Sequence, residues 1–465
     1  MNMINVRRLA VMTFLGAGML SDISAQDFSL QADTLNEARL PAQWDLQSCI
    51  DYALEQNITI RKNRVTAEST QIDVKTAKAA LFPSLSFSTS QQVVNRPYQE
   101  TSSRVSGSEI ISSNSKTSYN GNYGLNASWT IYNGSKRLKT LKQERLNNQV
   151  AELDVATSEN TIKESIAQIY IQILYAAESV RVNENTLQVS IAQRDRGQEL
   201  LNAGSIAKSD FAQLEAQVST DRYQLVTAQA TLQDYKLQLK QLLELDGENE
   251  MNVYLPKLSD ENVLAPLPAK KDVYVSALAI RPEIEASKLN VEASELGIDI
   301  AKSSYFPTIS LSAGIGTNHT SGSDFTFGEQ VKNGWNNSIG LSVSVPIFNN
   351  RQTKSAVQKA KLQRETDMLS LLDEQKALYK TIESLWLDAN SAQQRYAAAN
   401  EKLRSTQISY DLISEQFNLG MKNTVELLTE KNNLLQAQQE QLQAKYMAIL
   451  NTQLLRFYQG DKLTL

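Results

Sequence analysis

The chain has 465 residues and a net charge of -5, with 21% charged residues, so it carries no basic field suited to nucleic acid. A single cysteine, Cys49, and a single histidine, His319, exclude an intrachain disulfide and all but exclude a Cys/His metal cluster, a Cys–His pair or a Ser–His triad. Only carboxylate chemistry remains, and no constellation of paired acids stands out; the chain reads as a non-enzyme without cofactor or metal. Cys49, near the mature N-terminus, and His319, in an expected external loop, read as incidental.

Residues 1–25 read as a secretory leader. Arg7 and Arg8 form its charged start, Leu9 to Leu20 a short apolar run, and Ile23-Ser24-Ala25 a cleavage site that leaves Gln26 first. No cysteine near that point offers a lipidation site. Beyond it no apolar run of ~18 residues predicts a transmembrane helix, and the mean hydropathy of -0.36 is too polar for a helical membrane bundle.

The remainder is written twice. Residues 53–90 match 277–314 at an offset of 224, and 124–133 match 340–349 at an offset of 216. Ala77-Lys78 through Phe82-Pro83-Ser84 aligns with Ala301-Lys302 through Phe306-Pro307-Thr308. The eight-residue difference falls in the loops at 91–123 and 315–339. The expected division is a first repeat at 26–245, an irregular connector at 246–270 holding Pro256, Pro266 and Pro268, and a second repeat at 271–465.

Each repeat predicts helix, strand, loop, strand, long helix, turn, helix. Pro83 and Pro307 break the first helix before the first strand, because proline lacks a donor and disfavours helix at the preceding residue. The expected β-hairpins are 83–132 and 307–348. In them Leu85, Phe87 and Thr89, then Tyr123, Leu125, Ala127, Trp129 and Ile131, alternate with Ser and Asn. So do Ile309, Leu311, Ala313 and Ile315, then Ile339, Leu341, Val343 and Val345, with Ser and Gly. One apolar and one polar face, over about the ~9–11 residues of a tilted membrane strand, is the pattern of outer-membrane barrels. An ordinary hairpin on a soluble core gives the same pattern strand by strand. Four strands cannot close a barrel, and open edges are not tolerated in lipid. Two copies would supply eight strands and three would supply twelve; strand counting allows both.

The expected helical hairpins are 134–245 and 350–458. Their seams run Ile162, Ile166, Ile169, Ile173, Ala176, Val180; Leu214, Val218, Asp221, Leu225, Ala228, Leu232, Tyr235, Leu239, Leu242; and Met368, Leu371, Gln375, Leu378, Ile382 on to Phe417. A sustained period near 3.5 predicts left-handed coiled-coil packing. Gly204 and Gly420 close the long helices, as glycine accepts the left-handed conformation that ends them. Ser209-Asp210 and Thr424 open the next. By these helices alone the chain would be an envelope coiled-coil scaffold without channel activity.

In order and duplication these features resemble the TolC family of outer-membrane efflux proteins. The motif Phe417-x-x-Gly420-x-x-x-Thr424-Val425-Glu426-Leu427-Leu428 is similar to its second tip signature, and Leu201-x-x-Gly204-x-x-x-x-x-Asp210 to its first. The resemblance spans about Trp44 to Tyr458. It implies a mainly α fold with a membrane β-barrel, assembled as a homotrimer with a twelve-strand barrel in outer-membrane lipid and a twelve-helix tunnel in the periplasm. It also implies a passive exit duct for efflux or type I secretion, a periplasmic adaptor at the tip turns Gly204 and Gly420, and an inner-membrane pump of RND, ABC or MFS type. Glu426 matches an acidic ring at the tip constriction. Thr429 stands where the family has a second acid, and Phe417 where it has tyrosine. Lys422 matches a tip arginine that pairs with an acid at the position of Asp210. Helix-start acids favoured by the dipole are the plainer reading of Asp210 and Glu426.

Overall fold

The computed structural model describes residues 41–98, 102–106, 109–113, 116–246, 251–256, 263–321 and 325–464. The expected leader and cleavage site lie outside these residues. The chain forms two units. In the small one, Trp44 pairs in parallel with Val253, its N–H donating to the Asn252 carbonyl at 2.8 Å and its carbonyl accepting from Tyr254 N–H at 2.8 Å. The large unit holds Asp45–Met251 and Leu255–Leu465.

Two short helices open each half of that unit: α1 (Leu46–Gln56) and α2 (Ile58–Ala79), then α5 (Lys270–Ile280) and α6 (Pro282–Ser303), displaced by 224 residues. The junctions differ chemically. Asn57 caps α2 through Thr59 N–H at 2.9 Å and donates to the Leu242 carbonyl at 3.0 Å. Its counterpart Arg281 precedes Pro282 at the start of α6, where a missing N–H costs nothing. Arg281 is buried, 3.0 Å from Glu164, with its guanidinium 3.6 Å from the centre of the Tyr458 ring. α2 and α6 end four residues before Pro83 and Pro307, and the strands start directly after each proline.

The long helices are α3 (Lys136–Asn202) and α8 (Gln352–Asn418), 67 residues each and displaced by 216. Each follows two left-handed residues, Gly134-Ser135 and Asn350-Arg351. A Cβ on Gly134 would lie 2.6 Å from the Ser303 carbonyl oxygen, so this site needs glycine for space as well as for φ. α4 (Lys208–Leu242) folds back on α3, and α9 (Thr424–Gln459) on α8. The seam residues Ile166, Ile173, Ala176, Leu214, Val218 and Leu239 are buried, as are Leu378, Ile382, Ala389, Ala392, Tyr396, Ala399 and Phe417. Met368 is a correction: it is 46% exposed, so the second seam begins at half-buried Leu371. Val273, Ala277, Ile284, Leu378, Ile382 and Leu455 form a core joining α5, α6, α8 and α9.

Strands β1 (Ser84–Asn95), β4 (Thr117–Asn133), β5 (Thr308–Thr320) and β6 (Asn336–Ser344) make one antiparallel sheet in the order β1-β4-β5-β6. The register pairs Phe87 with Leu125, Leu125 with Ile315, and Ala313 with Ile339. Residues directly opposite share a face, so the odd-numbered apolar residues of the four strands, up to a bulge near the end of β4, fall on one side. The other side carries Ser86, Ser88, Asn126, Ser128, Ser310, Ser312, Gly340 and Ser342. Over the aliphatic rows neither face is covered by the described residues: Leu85 is 70% and Ile339 83% exposed.

Four expectations about the strands are corrected. A bulge between Thr130 and Tyr132 brings Tyr132, not Ile131, opposite Ile309. β6 stops at Ser344 and leaves out Val345, because Pro346 has no N–H to donate. β1, β4 and β5 run further into the expected loops than their alternation indicated. The first loop also holds a hairpin, β2 (Ser102–Ser106) with β3 (Glu109–Ser113), and the second a short helix, α7 (Phe327–Asn333).

Candidate gate at the helical tips

The two helical hairpins end in turns of the same construction. At the first, Ser205 N–H donates to the Leu200 carbonyl at 2.8 Å and Gly204 N–H to that of Leu201 at 3.0 Å. At the second, Met421 bonds to Gln416 at 2.9 Å and Gly420 to Phe417 at 2.9 Å. These paired bonds are a Schellman closure, which requires a left-handed residue after the helix. Gly204 and Gly420 supply it at φ +69° and +73°. No atom lies within 4 Å of a Cβ built on either, so backbone conformation alone, not crowding, demands glycine.

The helices that follow begin differently. α9 opens with a full capping box: Asn423 accepts from Glu426 N–H at 2.9 Å, and Glu426 accepts from Asn423 N–H at 3.2 Å. α4 has Ala207 at the cap position, so only the return bond exists, from Ala207 N–H to Asp210 at 3.3 Å. Both acids thus occupy the position where a carboxylate satisfies an orphan amide and faces the positive helix end.

Within a single chain Lys422 is paired with Glu426 and not with Asp210. Lys422 Nζ donates to Glu426 Oε1 at 2.6 Å, on the same turn of α9. Four residues' spacing makes that pair local and reachable without a second hairpin. The Lys422 ammonium, and then the Asn423 amide, hold the Glu426 carboxyl below its ordinary value. Thr429 turns its hydroxyl back to the Val425 carbonyl at 2.8 Å and remains on the exposed surface. Phe417 is buried, packing the base of the second tip, and Leu427 is sealed one turn into α9. Leu419, Met421 and Val425 stand out from the same tip at 69%, 71% and 56% exposure.

One group of polar residues near the tips escaped the sequence reading. Lys431 on α9, Asp221 on α4 and Ser190 on α3 meet in a buried cluster, with Lys431 bonded to both partners and Ser190 also bonded to Asp221. Gln217 completes it, donating to Asp221 Oδ1 at 2.9 Å. A signal was present: Asp221 occupies a seam position otherwise filled by Leu, Val, Tyr and Ala. A carboxylate there is tolerated only with a buried partner. Among the described residues no group of three or more His, Cys, Asp or Glu could hold a metal ion.

A strand hairpin with one apolar face, returning to a two-helix coil in each of two repeats, defines a channel-type outer-membrane fold. The sequence profile of the outer membrane efflux protein family matches residues 49–244 and 273–461, and the chain belongs to that family. It is 26% identical to the outer membrane efflux protein BepC of Brucella suis over 294 residues, 63% of this chain and 61% of BepC. It is 24% identical to the outer membrane protein TolC of Escherichia coli over 341 residues, 70% of this chain and 66% of TolC. The chain therefore spans somewhat under two thirds of the length of these relatives. Among solved structures, CusC superposes with a TM-score of 0.76 at 19% identity, over 90% of this chain and 93% of CusC.

Proposed function

We propose that three copies of this chain form an exit duct through the outer membrane and across the periplasm. In the assembly β1 of one copy pairs with β6 of the next, closing a twelve-strand barrel, and the helical hairpins close a twelve-helix tunnel below it. The observation that carries this reading is the sheet register. It gathers the odd-numbered aliphatic residues of four strands, up to the bulge in β4, on one largely exposed face and a Ser-, Asn- and Gly-rich surface on the other. A soluble coiled-coil scaffold has no use for such a sheet, whose apolar face would be open to water. In a barrel, that face meets lipid and the polar face lines an aqueous lumen.

The duct conducts passively; an inner-membrane pump and a periplasmic adaptor supply energy and cargo. The exposed Leu419, Met421 and Val425 beside Gly420 suit the adaptor contact. The tips form the gate. Three copies of Glu426 near the axis attract cations, and a narrow pore focuses their field. Lys422, bound to each Glu426, masks much of that charge. Closing the tip in the trimer moves Lys422 from Glu426 to Asp210 on the adjoining hairpin, a single-point contact weaker than an arginine fork. Thr429 gives no second acidic ring.

The test is the conductance of the purified oligomer in planar bilayers. A discrete, cation-selective conductance supports the duct. A folded, inserted oligomer that never conducts, even with its tips opened by substitution, returns the scaffold reading.

A further inference from the structure

Beyond Ile315 the apolar face of the sheet passes beneath a helix. β6 pairs with β5 only as far as Gly316, so among the described residues no strand lies beside Thr317 to Thr320 on that side. α7 takes the place of one. Thr320 N–H donates to Gln330 Oε1 at 2.9 Å, and the Thr317 hydroxyl donates to the Val331 carbonyl at 2.7 Å. The His319 ring lies 5.0 Å from that of Phe327 and 5.7 Å from that of Tyr119, both edge to face. Thr317 and His319 continue the odd-numbered row of Leu311, Ala313 and Ile315. α7 therefore lies along the β5 edge just past the last aliphatic row, packed on the apolar side through Thr317 and His319, while Gly334 at its end meets Asn318. The Thr326–Glu329 capping box fixes its start.

The outward surface of this segment is aromatic, with one acid, Glu329, tied up in the helix cap and one base, Lys332. Phe325 is 50%, Phe327 42% and Trp335 57% exposed, and Lys332 stands in solvent between them. Depth agrees. From Ile309 to Ile315 is six residues, about 20 Å along a strand at ~3.3 Å per residue. The edge of an apolar band ~25 Å tall then falls at Thr317 to His319, where α7 lies. Aromatic rings flanking a lysine at that level have the composition of the headgroup boundary, where amphipathic side chains keep one end dry and one wet.

We propose that residues 325–335 are an interfacial lipid anchor, with Phe325, Phe327 and Trp335 set at headgroup depth in the external leaflet and Lys332 facing headgroup phosphate. This rests on the barrel reading of the sheet. The anchor covers the free edge of β5 where β6 has ended, and fixes the height of the barrel in the bilayer.

The test is fluorescence quenching in phosphatidylcholine vesicles brominated either near the headgroup or near the chain ends. Two single-tryptophan chains are compared. One keeps only Trp335. The other carries Ile339→Trp, in the middle of the apolar face, with the native tryptophans replaced by Phe. The expected result is loss of Trp335 emission with shallow bromines and loss of the Ile339→Trp emission with deep ones. If the Ile339→Trp chain is quenched but Trp335 is not, or Trp335 responds best to deep bromines, the anchor is overturned and the barrel stands. If neither is quenched, the barrel reading falls and the anchor with it. Trp386 donates to the Pro268 carbonyl at 3.1 Å, and its replacement can cost folding. A nitroxide at Lys332→Cys reads the same depth with all four tryptophans in place, because Cys49 is fully buried and stays unlabelled. Relaxation of that nitroxide by a headgroup-bound metal chelate is expected; its absence overturns the anchor.

Discussion

Lys431 on α9 and Asp221 on α4 form an ion pair whose side chains are 3% and 2% exposed, and Ser190 on α3 bonds to both. Burial pushes the Lys431 ammonium below its ordinary pKa, and Asp221 opposes that shift. The cluster ties α9 of the second repeat to α3 and α4 of the first, two turns into α9 from its tip end. Removing one partner strands the other charge in a dry seam. Lys431→Met or Asp221→Leu should each destabilise the chain by about 3–5 kcal/mol. The double replacement should recover most of that, since an apolar pair of similar volume fits the seam without desolvated charge. Thermal melting in detergent, followed by circular dichroism, measures all three. Additive losses would mean that the two residues act separately.

At the tip, three substitutions separate two roles for Lys422. If it only masks Glu426, Lys422→Ala raises cation selectivity, Glu426→Gln abolishes it, and Asp210→Asn leaves conductance unchanged. If it also closes the tip against Asp210, Lys422→Ala and Asp210→Asn both raise conductance. The second pattern is expected for the assembled trimer, with modest increases because a single-point surface pair is worth about 1 kcal/mol or less. Single-channel recording with reversal potentials in a salt gradient distinguishes them.

Acidification provides an independent check on Glu426. Its carboxyl is held below the ordinary value by Lys422 first and the Asn423 amide second. A depressed carboxyl is fully charged above its ordinary range and loses its charge only as pH falls through the lowered value. Selectivity should therefore persist through the ordinary glutamate range and fade only at pH values below it. Loss of selectivity nearer neutrality would place the charge on another group.

How much of this was legible in the sequence depends on the range of the forces involved. Duplication, strand faces and seams are periodic, so the shared apolar face of Leu311 and Leu341 and the place of Ile382 in the core follow from spacing, while the pairing of the strands does not. Features that depend on one long-range partner were not legible. The Tyr132 bulge needs β5 beside it to reverse the alternation. Lys431 has no meaning until Asp221 lies across from it. α7 is too short for a periodic signal and is held by bonds to β5. Lys422 is a local case that spacing could have shown, since Glu426 lies four residues on along the same helix start and pairs with it in the single chain.

The tip glycines should behave alike, and unlike Gly134. At Gly204 and Gly420 only the left-handed backbone resists a side chain, so alanine should cost roughly 1–2 kcal/mol at each, and asparagine less. Gly134→Ala adds a collision with the Ser303 carbonyl, at 2.6 Å from the new Cβ, and should cost clearly more. Melting temperatures of the Ala and Asn variants at the three positions test the ranking. Equal losses at Gly134 and Gly420 would contradict the role given to space.

The two faces of β6 should respond oppositely to charge. Ile339 lies on the apolar face opposite Ala313, and its neighbour Ser338 lies on the polar face opposite Gly314. In a lipid-embedded barrel, Ile339→Lys puts an ammonium against hydrocarbon and should cost about 2–4 kcal/mol near the midplane. Ser338→Lys should fold normally, because its side chain enters water, and should shift conductance toward anions. Heat stability of the oligomer on gels reads the first effect and reversal potential the second. If both lysines were tolerated equally, the apolar face would not meet lipid. The register that orders these four strands would then need another explanation than a membrane.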